Sequence, residues 1–192
     1  MARTKEFDRE ERLTKARDLF WRKGYHATSM QDIVSTMGLN PGSIYNTFGD
    51  KHELFLQCLR NYAGFKLSQY LAAREGFASP LKAIENIILM AVKHTLEEER
   101  ACMAVNSTFE LAPVDKSVRT IIADYSKEIQ GIFRELLELA VQKKELKRDT
   151  EPELMAAFIS SSFSGFWQTY VITRDKSLVE KLAHALIEAI KK

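Results

Sequence analysis

Apolar residues recur every three or four positions along most of this chain, and few breakers interrupt them. Leu13, Ala16, Leu19 and Phe20 share one face of a predicted first helix from about Asp8 to Lys23, with Gly24 placed to end it. Met30, Ile33, Val34 and Met37 fall at i, i+3, i+4 and i+7, the stripe of a short second helix from about Ser29 to Met37. Thr28 and Gln31 have capping-box spacing at its start, and Gly38 suits the left-handed residue that closes it. Strand-like alternation is absent, so the predicted class is all-α.

The stretch "MGLNPGSIYNTFGDKHEL" sets several breakers beside aromatics. Asn40 is a good N-cap, and Pro41 suits the first helical position because its missing N–H would be unpaired there anyway. Ile44 and Phe48, one turn apart, face inward on this third helix. Asp50 and Glu53 then cap a fourth helix from about Lys51 to Arg74. Longer helices follow: Pro80 to about Glu99 with Ser79 as cap, about Cys102 to Leu111, and about Lys116 to Glu145. The last two start near Glu151 and Lys176, where Thr150 with Glu153 and Ser177 with Glu180 have capping-box spacing. The pattern gives about nine helices. An N-terminal three-helix unit, residues 1–50, precedes a larger helical body, 51–192, that begins with the connecting fourth helix.

Composition changes this picture little. At 192 residues the chain has room for one large domain or two small ones, and a net charge of +2 points to no partner. A local basic cluster at the start (Arg3, Lys5, Arg9, Arg12, Lys15, Arg17, Arg22, Lys23) is interleaved with Glu6, Asp8, Glu10, Glu11 and Asp18, which weakens it as a signal. Two cysteines, Cys58 and Cys102, exclude a dense disulfide framework and fit a reducing compartment. The first residues have no secretory h-region, and no apolar run approaches the roughly 18 residues of a membrane span. A cytoplasmic chain is expected.

Helix, Gly-centred turn and short helix form a helix-turn-helix, whose second helix commonly enters the DNA major groove. That role needs apolar residues inward and short or planar ones outward. Pro41, Gly42, Ser43, Tyr45, Asn46 and Thr47 provide the outward set, and no acid precedes Asp50. Phosphates are held by hydroxyls, cations and helix N-termini, which Thr28, Ser29, Tyr45 and Lys51 supply. The competing reading is a helix-turn-helix shape without DNA, with Tyr45 packed on the first helix.

The segment "ARDLFWRKGYHATSMQDIVSTMGLNPGSIYNTFGDKHELF" resembles the DNA-binding domain of TetR-family transcriptional repressors. The matching positions are Ala16, Leu19, Phe20, Gly24, Tyr25, Thr28, Ser29, Ile33, Gly38, Gly42, Tyr45, Phe48, Lys51, His52, Glu53 and Leu54, and the match covers roughly the first quarter of the chain. The family's usual histidine before the phenylalanine is Thr47 here, and Val34 replaces a frequent alanine. The resemblance implies a homodimer on a palindromic operator, released when a small molecule binds the C-terminal domain. It also implies that Tyr45, Thr47 and Lys51 contact phosphates, while Gln31 and the Pro41–Asn46 face meet bases.

In the body, "ELMAAFISSSFSGFWQTYVI" carries almost no charge, so its helix is expected to be buried on most sides. The last helix repeats Leu178, Leu182, Leu186 and Ile190, with Ala183 and Ala185 alongside. Two such helices per subunit can form a four-helix dimer interface, or an ordinary monomeric core. The family uses its last two helices for the dimer. A mostly apolar effector pocket is sought among Met90, His94, Met103, Asn106, Phe109, Phe133, Phe163, Trp167 and Tyr170, each of which also reads as a core residue. "ERACMAVNSTFEL" resembles the "GCLxxN" segment of the family branch that includes the electrophile-responsive NemR, with Ala101 in the glycine position. In that branch a cysteine at the place of Cys102 can act as a redox or electrophile switch. A helix N-terminus and Arg100 favour the Cys102 thiolate, while Glu97, Glu98 and Glu99 oppose it. A plain structural cysteine is the alternative, and the expected role of Cys58.

Enzyme signatures are absent: there is no GxSxG, HExxH, GxGxxG or P-loop. His94 and Glu98 lie at i, i+4, but two ligands do not make a metal site. No cofactor and no metal are expected. The rival from another class is a helical ligand-binding or adaptor protein without a DNA role. Salt-dependent binding to the DNA flanking its own coding region separates the two.

Overall fold

The computed structural model describes residues 7–98 and 102–191. Its regular elements are helices α1 (Arg9–Lys23), α2 (Met30–Met37), α3 (Pro41–Phe48), α4 (Lys51–Ala73), α5 (Pro80–Glu98), α6 (Met103–Glu110), α7 (Lys116–Gln142), α8 (Pro152–Thr173) and α9 (Lys176–Ile190). The all-α class predicted from the apolar period is the class observed. These helices divide between two compact units: Met1–Gly64 with Met103–Ile122, and Phe65–Cys102 with Ala123–Lys192. Helices α4 and α7 each contribute to both. Helix α6, remote in sequence from α1–α3, therefore belongs to the same unit as they do.

In the first unit, the inward faces read from the sequence form the core. Leu13, Ala16, Leu19 and Phe20 of α1 are buried, with Ile33 and Met37 of α2, Ile44 and Phe48 of α3, and Leu54, Phe55 and Leu59 of α4. Asp8 caps α1, accepting from the Glu10 and Glu11 amides. Gly38 closes α2 in the left-handed conformation at φ +63°, and Arg12 reaches across from α1 to donate to the Met37 carbonyl at 2.9 Å. Asn40 caps α3 by accepting from the Ser43 amide at 2.8 Å, with Pro41 at the first position. Asp50 and Glu53 form a reciprocal box at the start of α4. Cys58 is fully buried, and loss of solvent pushes its thiol pKa far up, so it is an inert core residue.

In the second unit, α5, α8 and α9 pack on one another. Its core takes Ile84, Ile87 and Ile88 from α5, Ile159 and Phe166 from α8, and Val179, Ala183, Leu186 and Ile190 from α9, all buried.

Several helix ends differ from the expected ones. The box at α2 is Ser29 with Asp32, one residue beyond the Thr28–Gln31 pair. Helix α8 is preceded by Glu151, without a side-chain cap bond from Thr150. Asp175 caps α9, accepting from the Leu178 amide at 3.0 Å, so Ser177 lies inside the helix. Helix α7 stops at Gln142, and Glu145 folds back on the start of α5, accepting from Ser79 Oγ and the Leu81 amide. Two faces also differ. Helix α8 buries Ala156, Ile159, Phe166 and Tyr170 and leaves Leu154, Phe158 and Ile172 open in the single chain, so it is not enclosed on most sides. Helix α9 turns Val179 and Ala183 inward with Leu186 and Ile190, while Leu178 and Leu182 stay partly open.

Candidate functional site

Helix α3 carries no charged residue from Pro41 to Phe48. Ile44 and Phe48 hold it to the core, and the Arg9 guanidinium lies over the Phe48 ring. On its other side Pro41, Gly42, Tyr45 and Asn46 are exposed, and Ser43 and Thr47 are half-buried. Tyr45 is 52% exposed. The result is a narrow, neutral, hydrogen-bonding ridge with an aromatic group at its middle.

The neighbouring elements present further groups. Ser29 and Gln31, at the start of α2, are exposed. Thr28 is fully buried, and its hydroxyl donates to the Gly24 carbonyl at 2.7 Å, so in this geometry it shapes the turn instead of facing outward. Lys51 begins α4, and its ammonium lies 4.4 Å from the centre of the Tyr25 ring, a cation–π contact. Much of the N-terminal basic cluster is engaged within the fold: Arg12 on Met37, Arg17 on Asn61 and Asp18, Lys15 on Glu11, and Lys23 on Asp32. Arg3 and Lys5 lie outside the described residues.

Asp32 joins charge to helix capping. Hydrogen bonds from Lys23 first, then from the Ser29 amide and hydroxyl, hold its carboxyl well below the usual range. A lowered carboxyl pKa stabilises the fold above the unfolded value, near 4, and that contribution fades as pH falls below it. The stability difference between wild type and Asp32→Asn should therefore be present at neutral pH and shrink below about pH 4. A difference in melting temperature that stays constant across that range would contradict the assignment.

The effector candidates are divided between the two units. Met103, Asn106 and Phe109 lie in the first, where Met103 is buried and Phe109 is 78% exposed. Asn106 and Phe109 border a surface cleft of about 400 Å³ with Arg22, Lys23, Gly24 and Glu110. Met90, His94, Cys102, Phe133, Phe163, Trp167 and Tyr170 lie in the second unit, with Phe133 and Tyr170 buried and the others half-buried. Phe163 is the hub, 5.9 Å from Phe133, 6.3 Å from Phe166 and 6.2 Å from Tyr70 between ring centres.

Sequence reasoning missed Tyr70 and Tyr125. They are buried, hydrogen-bonded to each other and electrostatically coupled to Cys102, and burial drives both phenol pKa values upward. It also missed Gln130, which donates to Ser126 and Ser160 at 3.3 Å. A tyrosine on an inward stripe looks in sequence like any other core residue, so only the fold reveals that these two meet. Cys102 is half-buried just before α6. Glu99, Arg100 and Ala101, and the side chain of Glu98, lie outside the described residues. Among the described residues no three His, Cys, Asp or Glu side chains converge as metal ligands, and no helix is long and apolar enough to cross a membrane.

Comparison with known proteins agrees with this geometry. Residues 13–58 match the model of bacterial regulatory proteins of the tetR family, and residues 80–186 match that of the tetracyclin repressor-like C-terminal domain. The HTH-type transcriptional regulator YezE of Bacillus subtilis is 32% identical over 165 residues, covering 84% of this chain and 85% of its own. The regulator CifR, solved as a cysteine mutant complexed with 26-bp double-strand operator DNA, superposes with a TM-score of 0.86 at 24% identity, over 98% of this chain and 100% of its own. Reduced Escherichia coli NemR superposes at 0.84 with 15% identity, over 93% and 94%. With both of its regions matched and a relative at this identity over most of the chain, the chain belongs to the TetR family of bacterial regulatory proteins and is a DNA-binding transcriptional regulator, not an enzyme.

Proposed function

We propose that the protein is a cytoplasmic repressor that binds a palindromic operator as a homodimer and releases it when a small molecule or electrophile engages its C-terminal region. Residues 1–50 act as the DNA-binding domain and 51–192 as the ligand-binding and dimerisation domain. The observation that carries the reading is the α3 ridge, uncharged and slim outside and anchored inside by Ile44 and Phe48. Tyr45, Thr47, Ser29 and Lys51 serve the phosphates, and Gln31 with the Pro41–Asn46 face serves the bases. The operator complex of CifR, alike in fold, supports this use of the ridge.

The effector region is drawn around Phe163 with Phe133, Trp167, Tyr170, Met90 and His94, and its polar end is the Tyr70–Tyr125 pair beside Cys102. A cluster of apolar and aromatic side chains with few polar groups suits a small, largely apolar effector.

The test compares two neighbours on α3 at fixed salt. Tyr45→Ala should weaken binding to all sequences alike, since a phosphate contact carries no base information. Asn46→Ala should relax preference at one base pair, by roughly 1–3 kcal/mol. Wild-type operator affinity in both variants, measured on DNA footprinted beside the protein's own coding region, would remove the assignment.

A further inference from the structure

The α1–α2 turn is held from a distance. The backbone N–H groups of Tyr25 and His26 both donate to the Glu110 carboxylate, at 3.1 Å to Oε2 and 2.7 Å to Oε1, from the far end of α6. Two successive N–H groups beside a residue of positive φ make a concave anion seat. Here Gly24, at φ +79°, supplies the bend, and a Cβ on it would stand only 3.0 Å from Glu110 Oε2. Asp115, beyond the end of α6, accepts from the Ser117 and Val118 amides through Oδ1 and pairs with His52 Nε2 through Oδ2. Within the first unit, the α6–α7 corner thus grips the α1–α2 turn and the start of α4.

Both gripped points lead to groups assigned above to DNA. The turn runs into Ser29, the N-cap of α2. The Tyr25 ring lies edge-on to Phe55 at 5.0 Å and carries the Lys51 ammonium on its face. A continuous path therefore runs from the Glu110 carboxylate through the Tyr25 backbone and ring to Lys51.

We propose that Glu110 is a positioning residue for operator binding: seated on the Tyr25 and His26 amides, it fixes the Tyr25 ring and so the reach of Lys51. The inference rests on the DNA-binding reading above. Its chemistry is specific to a carboxylate. Two oxygens accept from two N–H groups with charge assistance, whereas a glutamine amide would turn an N–H₂ toward one of the two donors.

The experiment is a double-mutant cycle of Glu110→Gln and Lys51→Ala on the full-length protein, with the footprinted DNA at fixed salt. Glu110→Gln should weaken binding about 3–10-fold, the scale of one ordinary hydrogen bond, since the glutamine keeps one of the two acceptors. The double variant should bind within about twofold of Lys51→Ala alone, because the two changes act on one contact. Glu110→Asp should not restore full affinity, since its shorter stem cannot span both amides. Wild-type affinity in Glu110→Gln, or losses that multiply, would overturn the proposal, because a merely structural contact gives independent effects. Amide hydrogen exchange in the wild type needs no variant: operator DNA should slow exchange at Tyr25 and His26, and unchanged exchange there would also overturn it. If the wild type binds no DNA at all, the functional reading fails instead, which is a separate outcome.

Discussion

Phe158→Asp should turn the protein into a monomer and weaken operator binding by about two to four orders of magnitude, the usual span of lost bivalency. In the single chain α8 presents a continuous open stripe of Leu154, Phe158, Ser161, Gly165, Gln168 and Ile172, spaced by three or four residues throughout. Helix α9, packed beside it, presents Leu178, Leu182, Ala185 and Ala189 at the same spacing. Large apolar groups at 64% and 48% exposure for Leu154 and Phe158 suit a face that a second copy covers. The small residues between them let two helices approach closely. Near the ends of the two helices, Leu154, Met155, Phe158, Ala189 and Ile190 line a groove of about 540 Å³ that can receive a partner's side chain. In the proposed homodimer the same patch meets itself across a two-fold axis, so one substitution would place two carboxylates in one apolar contact. Phe158 is half open, so its replacement should cost the single chain little, and the variant should stay folded. The readouts are mass in solution and operator affinity at fixed salt. A variant that remains dimeric with wild-type affinity, or a wild type that is monomeric when bound, would refute the interface.

What the sequence made legible follows from how local each signal is. The α3 ridge was readable because Asn40, Pro41, Ile44 and Phe48 act within one short helix, and Gly38 closes the preceding one with its own backbone. Where two neighbours are chemically equivalent, spacing alone chose wrongly. Thr28 and Ser29 both suit a cap, and the fold settles on Ser29 because Asp32 returns its hydrogen bond while Thr28 turns inward to Gly24. Asp175 outcompetes Ser177 at α9 in the same way. In α9, Leu178 and Val179 are adjacent and both apolar, so periodicity permits two faces, and only packing shows that Val179 faces the core. Long-range pairings leave no local trace. Glu110 reads as an unremarkable acid at a helix end, yet its partners are 84 and 85 residues away. Tyr70 and Tyr125 meet only because α4 and α7 bring them together.

Phe48→Ala should abolish measurable operator binding and lower stability by about 3–5 kcal/mol, the usual cost of emptying a buried phenylalanine site. For a chain of this size that is a fall in melting temperature on the order of 10 °C. Phe48 is 2% exposed and is the last residue of α3, so its ring ties the far end of the ridge to the core, as Ile44 ties its middle. Its surroundings are polar at the edge: Arg9 lies over the ring at 5.2 Å, and Gln57 Nε2 donates to the Phe48 carbonyl at 2.8 Å. Removing the ring leaves a void and deprives the Arg9 guanidinium of its cation–π partner. Gly49 follows the ring directly and turns the chain into α4. It stands at φ +82°, and a Cβ there would lie well inside contact distance of Glu53 Oε2, the group that closes the α4 box. An eight-residue helix has little stability of its own, so without its anchor α3 should fray from the end that carries Tyr45, Asn46 and Thr47. Phe48→Leu, which keeps most of the apolar volume, should recover much of the stability and part of the affinity. If Phe48→Ala bound operator as well as wild type, α3 would not be the element that enters the groove. If Phe48→Ala and Phe48→Leu lost affinity equally while Phe48→Leu regained its melting temperature, the ring itself, and not the anchoring of α3, would be what DNA binding requires.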